Sequence, residues 1–292
     1  MTVREALFAG YRPCLRCHPL ELSGHPEWLT QILSRLEANP SLRIKDSDLR
    51  AAGIEPSRAR RYFMTHYGMT FQAFCRATRM STAFQQIRAG TDLDDVAFEN
   101  GYESNSGFRE AFSQIFGKPP GKTNGADCIL VSWLVSPIGP LLAAATSDGI
   151  CLLEFTERRM LEKQFQILRK VFDFPILPGS NEHLRQLKQE LELYFAGKLR
   201  EFNVPLLYPG SDFQKRVWEQ LLRIPFGETR SYIELAGILG DPGAVRAVGH
   251  ANGLNRIAIV IPCHRVINKN GRLGGYGGGL WRKQYLLKLE QS

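Results

Sequence analysis

The chain has 292 residues, 43% of them hydrophobic, and carries 37 Lys and Arg against 29 Asp and Glu for a net charge of +8. That length exceeds one typical domain and predicts two or three, each with enough apolar content for its own core. No uninterrupted apolar run approaches the roughly 18 residues a bilayer span needs, and the N-terminus lacks the apolar core of a signal peptide, so no membrane partner is expected and the expected location is cytoplasmic, in association with the nucleoid.

The charge is uneven: +3 over residues 1–125, zero over 126–200 and +5 over 201–292. The two ends would suit a polyanion such as DNA, although an excess of this size also fits a merely solvated surface. Six cysteines stand at 14, 17, 75, 128, 151 and 263. Without a secretory signal they read as reduced thiols.

Residues 1–25 read as a short helical piece followed by Arg12-Pro13-Cys14-Leu15-Arg16-Cys17-His18. The Cys-x-x-Cys step suits one half of a tetrahedral zinc site, with His18 and His25 as weak candidates for the ligands it lacks. The segment resembles the end of the zinc-binding, phosphotriester-sensing domain of Ada-type DNA repair regulators. The resemblance implies a remnant whose other zinc ligands and methyl-accepting cysteine would lie upstream of Met1, so no metal is expected at Cys14 and Cys17.

Residues 26–122 are helical in pattern and hold two similar turn-linked helix pairs. In the first, Asp46 to Ile54 forms an N-capped helix ending in a Gly turn, and Glu55 to Phe63 starts a second helix with a basic face that includes Arg58 and Arg61. In the second, Leu93 to Tyr102 leads to Glu103 through Pro119. There Phe108, Phe112, Ile115 and Phe116 recur at helical spacing, which points them to a core and leaves Ser104, Asn105, Ser106 and Arg109 outward as groove-reading candidates. A helical bundle kept soluble by basic residues is the plainer reading. The region resembles the all-α, tandem helix-turn-helix domain of AraC-type regulators, through the pattern GYxSxSxFxxxFxxxFGxxP. It departs from that family at Pro120-Gly121-Lys122, where a tyrosine-arginine step is usual. The resemblance implies binding to DNA, with promoter DNA and RNA polymerase as possible partners.

The turn-rich stretch Lys118 to Gly125 marks a domain boundary. From 126 to 204 the pattern predicts a three-stranded antiparallel meander at Ile129–Val135, Leu141–Thr146 and Ile150–Phe155, then helices over 157–171 and 181–197. Cys128 and Cys151 fall in or beside the strands as core thiols.

Residues 205–292 begin with an amphipathic helix from Phe213 to Leu222 and a turn at Ile224 to Thr229. A serine-capped helix follows from Ser231, and after the Gly240-Asp241-Pro242 stop another runs from Gly243 to Asn252, making a third helix-turn-helix. Apart from Arg246 and His250 this last helix is built almost wholly of small residues, which suits close approach to a narrow groove with one arginine as a wedge. The apolar run Ile257–Ile261 then leads to Pro262, which ends any strand, and to Cys263-His264. On its own that pair is either a reactive thiol beside a proton acceptor or a buried cysteine after a core strand.

The patterns RVWxxLxxIPxGETxSYxxLA, RAVGxANxxN, IPCHRVI and GGYxGGLxRKxxLLxLE stand in order across Phe213 to Glu290. They resemble the catalytic domain of O6-alkylguanine-DNA alkyltransferases. The resemblance implies a multidomain α+β chain: the tandem helix-turn-helix domain, a small α/β, ribonuclease H-like unit, and a mainly helical, winged-helix-like catalytic domain. It also implies double-stranded DNA containing O6-alkylguanine as partner, a monomer, and no cofactor. Carried over by residue, Cys263 accepts the alkyl group, His264 takes its proton, Glu290 orients the imidazole, Asn255 braces the turn and Tyr232 donates to the base and helps rotate the nucleotide. Arg246 becomes the wedge, with Ala247 and Gly249 at the DNA, while Tyr276, Gly277 and Val266 shape the substrate pocket. Single-turnover repair of O6-methylguanine, and of O4-methylthymine, is the function implied. The alternative is a transcription regulator whose alkyltransferase half senses damage.

Overall fold

The computed structural model describes residues 27–39, 41–67, 69–122, 127–156, 158 and 160–291, so the expectations on Cys14, Cys17 and the rest of residues 1–25 lie outside them. The chain forms two compact units. One comprises His25–Ser132 with Asp173–Asn181, the other Trp133–Phe172 with Glu182–Ser292.

The first unit holds α1 (Glu27–Ala38), α2 (Asp46–Ala51), α3 (Pro56–Tyr67), α4 (Phe71–Arg88), α5 (Leu93–Glu99) and α6 (Asn105–Phe116). Their starts follow local chemistry: Thr70 accepts from Ala73 N, Asp92 from Asp94 N and Ser104 from Gly107 N, each side chain satisfying a donor that the first helical turn leaves free. The two helix-turn-helix motifs turn in the same way. Gly53 and Gly101 take left-handed φ values of 73° and 75°, and the following N–H reaches back five residues, Ile54 to Leu49 O at 2.8 Å and Tyr102 to Ala97 O at 2.9 Å. The long helix α4 carries both cores. Near its start Phe71 and Phe74 lie 5.0 and 5.1 Å from the Phe63 ring of α3, and near its end Phe84 stacks on Phe116 of α6 at 4.6 Å.

Four strands follow in the chain: β1 (Ile129–Leu134), β2 (Leu141–Ala145), β3 (Ile150–Phe155) and β4 (Ile176–Pro178), with α7 (Leu161–Phe172) between the last two. The expected meander is only part of this. β2 and β3 are antiparallel, from Leu141 opposite Phe155, but β1 pairs in parallel with β4, Ile129 opposite Ile176 through Val131 opposite Pro178. β4 has three residues, ends on proline and lacks an alternating pattern, so nothing local announces it. Ser81 Oγ of α4 donates to Pro178 O at 3.0 Å and Gln85 Nε2 to Ser180 O at 3.3 Å, which ties this strand to α4 within the first unit.

The second unit continues with α8 (Glu182–Phe195), α9 (Asp212–Leu222), β5 (Arg230–Ser231), α10 (Tyr232–Ile238), α11 (Val245–Gly253), β6 (Val266–Ile267) and α12 (Leu280–Leu289). Ser231 and Glu234 form a reciprocal capping box on α10. The helix expected from Gly243 begins instead as a 3-10 turn at Pro242–Ala244, because Asp241 captures Gly243 N at 2.9 Å and proline opens the turn. Trp218 Nε1 of α9 donates to Ala251 O at 2.9 Å and seats α11. No helix among the described residues is long and apolar enough to cross a membrane. Cys75, Cys128 and Cys151 are buried, and burial pushes the Cys75 and Cys128 thiols up to about 12.

Phe112 of α6 is fully buried, stacked on Phe116 at 4.3 Å and tilted against Phe84 at 6.2 Å. Phe112→Ala is expected to lower the stability of the helical unit by about 3–5 kcal/mol, read as the shift in its urea unfolding midpoint.

Candidate active site

Residues 257–261 do not form a strand. Ile257 makes a single bridge to Leu153, and the chain then turns. The turn is closed by the backbone bond from Ile261 N to Ile257 O at 2.9 Å and braced by one side chain: Asn255 Oδ1 accepts from Ile257 N at 3.0 Å, and its Nδ2 donates to Ile261 O at 2.8 Å and to Cys263 Sγ at 3.1 Å. Inside it Ile259 adopts a left-handed φ of 72°, which costs a β-branched residue about 1–3 kcal/mol and persists only where the surroundings over-determine it. The apolar run is apolar because the turn is buried, Ile257 and Ile261 being wholly inaccessible. Pro262 then leads into a 3-10 turn, Cys263–Arg265.

Cys263 is 7% exposed. Burial pushes its thiol up, against the opposing hydrogen bond from Asn255 and the charge of Arg158. Next to it His264 is wholly inaccessible, and burial pulls the imidazole down, outweighing the Glu290 carboxylate 2.8 Å from Nε2. Burial would also raise Glu290, but hydrogen bonds and charge from His264 and Arg265 prevail and hold it at about 2. The carboxylate accepts from Arg265 Nε at 2.8 Å and Nη2 at 2.9 Å, from Tyr194 Oη at 2.6 Å and from Gly227 N at 3.3 Å. An ionised Glu290 requires the proton on His264 Nε2, so Nδ1 is the basic nitrogen. It is buried and has no hydrogen-bond partner among the described residues. The arrangement is a neutral thiol beside a neutral imidazole whose cation a fixed carboxylate would stabilise.

A cavity of about 230 Å³ opens beside the thiol. Of the residues singled out from the sequence, it brings together Cys263, Tyr232, Asn255, Gly249, Tyr276 and Gly277. Burial pushes both tyrosine hydroxyls up, so each is a proton donor at neutral pH. Gly274 is required beside them, since a Cβ there would lie 2.8 Å from the Tyr232 ring. His264 and Glu290 stand behind the thiol rather than on the wall. Val266, expected in the pocket, is fully buried in β6 and is not among the residues that line the cavity. Arg246 and Ala247 are exposed on α11, the helix that sends Gly249 to the cavity. In the other unit Arg58, Arg61, Ser104, Ser106 and Arg109 are exposed and Asn105 half-buried. Ser104 is engaged as the α6 cap and Asn105 donates to Asp94, so these two polar groups already serve the fold.

Sequence reasoning missed five participants. Arg265 and Tyr194 complete the Glu290 cluster, and Lys283, wholly buried and pulled down to about 8 by burial, donates to the carbonyls of Val266 and Gly274. Glu154 and Arg158 line the cavity. Arg265 had a local signal in its place directly after Cys263-His264, and Lys283 in the GGYxGGLxRKxxLLxLE pattern; the other three had none.

Three family models match the chain: a helix-turn-helix domain over residues 49–125, the ribonuclease-like domain of 6-O-methylguanine DNA methyltransferase over 129–208 and its DNA binding domain over 212–292. A helix-turn-helix unit fused to a cysteine-centred methyltransferase fold is the class of protein so defined, and it has the Ada-like order. A methylated-DNA–protein-cysteine methyltransferase of Mycobacterium tuberculosis is 50% identical over 157 residues, 54% of this chain and 89% of the relative. One from Methanosarcina acetivorans is 46% identical over 158 residues, 54% of this chain and 95% of the relative. A crystal structure of Mycobacterium tuberculosis OGT in complex with DNA has 46% identity, covers 56% of this chain and 92% of that one, and gives a TM-score of 0.49. The chain belongs to the methylated-DNA–protein-cysteine methyltransferase family.

Because Glu290 is held well below its ordinary value of 4.5, its contribution to stability is complete above that pH and is lost as pH falls toward about 2. Glu290→Gln, which leaves Arg265 buried without its counter-charge, is expected to cost about 3–5 kcal/mol at neutral pH. The difference from the parent protein should shrink progressively below pH 4.5, as followed by urea unfolding across that range.

Proposed function

We propose that the protein repairs DNA by moving the alkyl group of O6-methylguanine, and of O4-methylthymine, directly and irreversibly onto Cys263. The observation that carries this reading is a buried thiol at a cavity whose neighbouring histidine presents a free basic nitrogen while its other nitrogen is fixed on an ionised glutamate. In the transfer, the sulfur attacks the methyl carbon, the carbon–oxygen bond breaks, and its electron pair stays on the base. The thiol proton passes to His264 Nδ1, with Glu290 stabilising the imidazolium. Tyr232, neutral and at the cavity wall, supplies a proton to the departing base and is reprotonated through solvent as the His264 imidazolium gives up its proton, so that the thiol proton ends on guanine. The product is a thioether, which no group at the site can hydrolyse, so each molecule acts once and the step balances without a cofactor.

A stacked guanine cannot reach a recessed thiol, and unstacking costs on the order of a few kcal/mol. Arg246, exposed on the small-residue helix α11, is suited to enter the stack from the minor-groove side and fill the space of the extruded nucleotide, with Ala247 and Gly249 allowing close approach. The AraC-like helix-turn-helix unit adds contacts to DNA and would regulate alkylation-response genes, with RNA polymerase as partner. The reading places the protein in the cytoplasm on the nucleoid, as a monomer.

Incubation with a duplex containing O6-methylguanine is expected to add one methyl group to the Cys263 peptide, seen by mass spectrometry, and Cys263→Ser should abolish it. Methyl transfer to the Ser variant at the same rate would refute the assignment. Arg246→Ala should slow transfer from duplex DNA by about tenfold or more while sparing the free methylated base, measured in single-turnover reactions. Regulation is tested by operator affinity and transcription before and after Cys263 is alkylated; unchanged values leave repair alone.

A further inference from the structure

The cavity wall holds a charged pair that this chemistry does not use. β3 is buried at every position and apolar at all but Glu154, which is wholly inaccessible and whose carboxyl is pushed up by burial. Arg158 pairs with it four residues on, while Phe155 N and Gln164 Nε2 donate to the same carboxylate at 3.0 and 3.2 Å. A buried ion pair is weak evidence for stability, because desolvating both charges offsets most of their attraction and an apolar pair would fill the same space.

The remaining donors of this guanidinium have a definite use. Nη1 donates to Asn255 O at 3.3 Å and Nη2 to Gly253 O. Those carbonyls lie where α11 ends and the chain enters the Asn255 turn, and helix-end carbonyls lack intrahelical partners. On another side the guanidinium lies against Gly277, where a Cβ would come within 2.6 Å of Cζ. Among the residues lining the cavity, Glu154 and Arg158 alone precede Tyr232 in the chain. The α/β segment thus reaches the thiol site through this pair.

We propose that Arg158, fixed by Glu154, is a positioning residue for Cys263: it holds the Gly253–Asn255 end of α11 so that the Asn255 amide stays within reach of Sγ, and it sets the cavity width at Gly277. This rests on the reading of Cys263 as the alkyl acceptor. The charged groups acting on the thiol are Arg158 and Lys283, which favour the thiolate, and Glu154, which opposes it. Tyr232 and Tyr276 face it as neutral hydroxyls, and His264 adjoins it as a neutral imidazole.

The test uses the full chain and two readouts: labelling of the Cys263 peptide by iodoacetamide as a function of pH, without DNA, and single-turnover methyl transfer at saturating O6-methylguanine duplex. Arg158→Gln is expected to move the labelling midpoint to higher pH and to slow transfer by about tenfold or more, with the dissociation constant for DNA unchanged within twofold. Arg158→Lys should return the midpoint toward that of the parent protein. Glu154→Gln keeps the side-chain shape while removing the charge that opposes the thiolate, should move the midpoint to lower pH, and decides the matter if Arg158→Gln does not fold. An unshifted midpoint in Arg158→Gln, or in Glu154→Gln where that variant decides, overturns the proposal. A parent protein that takes no methyl on Cys263 overturns the repair reading instead, because the labelling arm needs no methylated DNA.

Discussion

The buried carboxylate of Glu290 is the interaction on which the site depends. It sits at the C-terminal end of α12, where the helix dipole disfavours an anion, and in an interior that disfavours any charge. Arg265, His264, Tyr194 and Gly227 all donate to it, and together they reverse both penalties. The result joins four distant parts of the chain: α8, the turn before β5, the Cys263 turn and the last helix. It also fixes the histidine tautomer, which is what leaves a basic nitrogen for the proposed proton transfer.

The thiol shows how such a site is kept quiet until it is needed. Burial holds Cys263 protonated and His264 neutral, so neither carries a charge that the interior would have to solvate at rest. In the proposed transfer, charge separates only when a bound alkyl group gives the sulfur somewhere to go, and the carboxylate is then already in place. This is electrostatic preparation without reorganisation, the condition under which buried dipoles and charges act most strongly. The strained φ at Ile259 belongs to the same scheme, since the Asn255 bonds that tolerate it are those that place the thiol.

The two halves differ in how their polar groups are committed. In the second unit the residues expected to act on DNA, Arg246 and Ala247, are exposed on a helix of small side chains. In the first unit the exposed Ser104 caps α6 and lies 3.2 Å from the Ser106 hydroxyl, and Asn105 bonds Asp94, while Arg58, Arg61 and Arg109 are the exposed charges of the expected set. Backbone-type contacts to phosphate are thus better served there than reading of base edges through Ser104 and Asn105.

Much of this molecule was legible from the chain alone. Caps, glycine turns and helical spacing are local, so the helix-turn-helix pairs, the serine cap at α10 and the β2–β3 hairpin follow from residues a few positions apart. The contiguous Pro262-Cys263-His264 step and the lone Arg246 stand out locally, whereas the distant Tyr232, Asn255 and Glu290 were found through resemblance to a family. The tertiary structure decided what spacing cannot carry. It turned the 257–261 run from a strand leading to the cysteine into a buried turn, because one asparagine side chain outcompetes strand pairing for its backbone groups. It added β4 from a stretch with no pattern, withdrew Val266 from the pocket, brought Tyr194, Glu154 and Arg158 to the site from elements with no local mark of function, and gave Lys283 its buried carbonyl partners. Those residues act through charge and hydrogen bonds across long sequence separations, and the burial that shifts Tyr194, Lys283 and Glu154 exists only once the chain is folded.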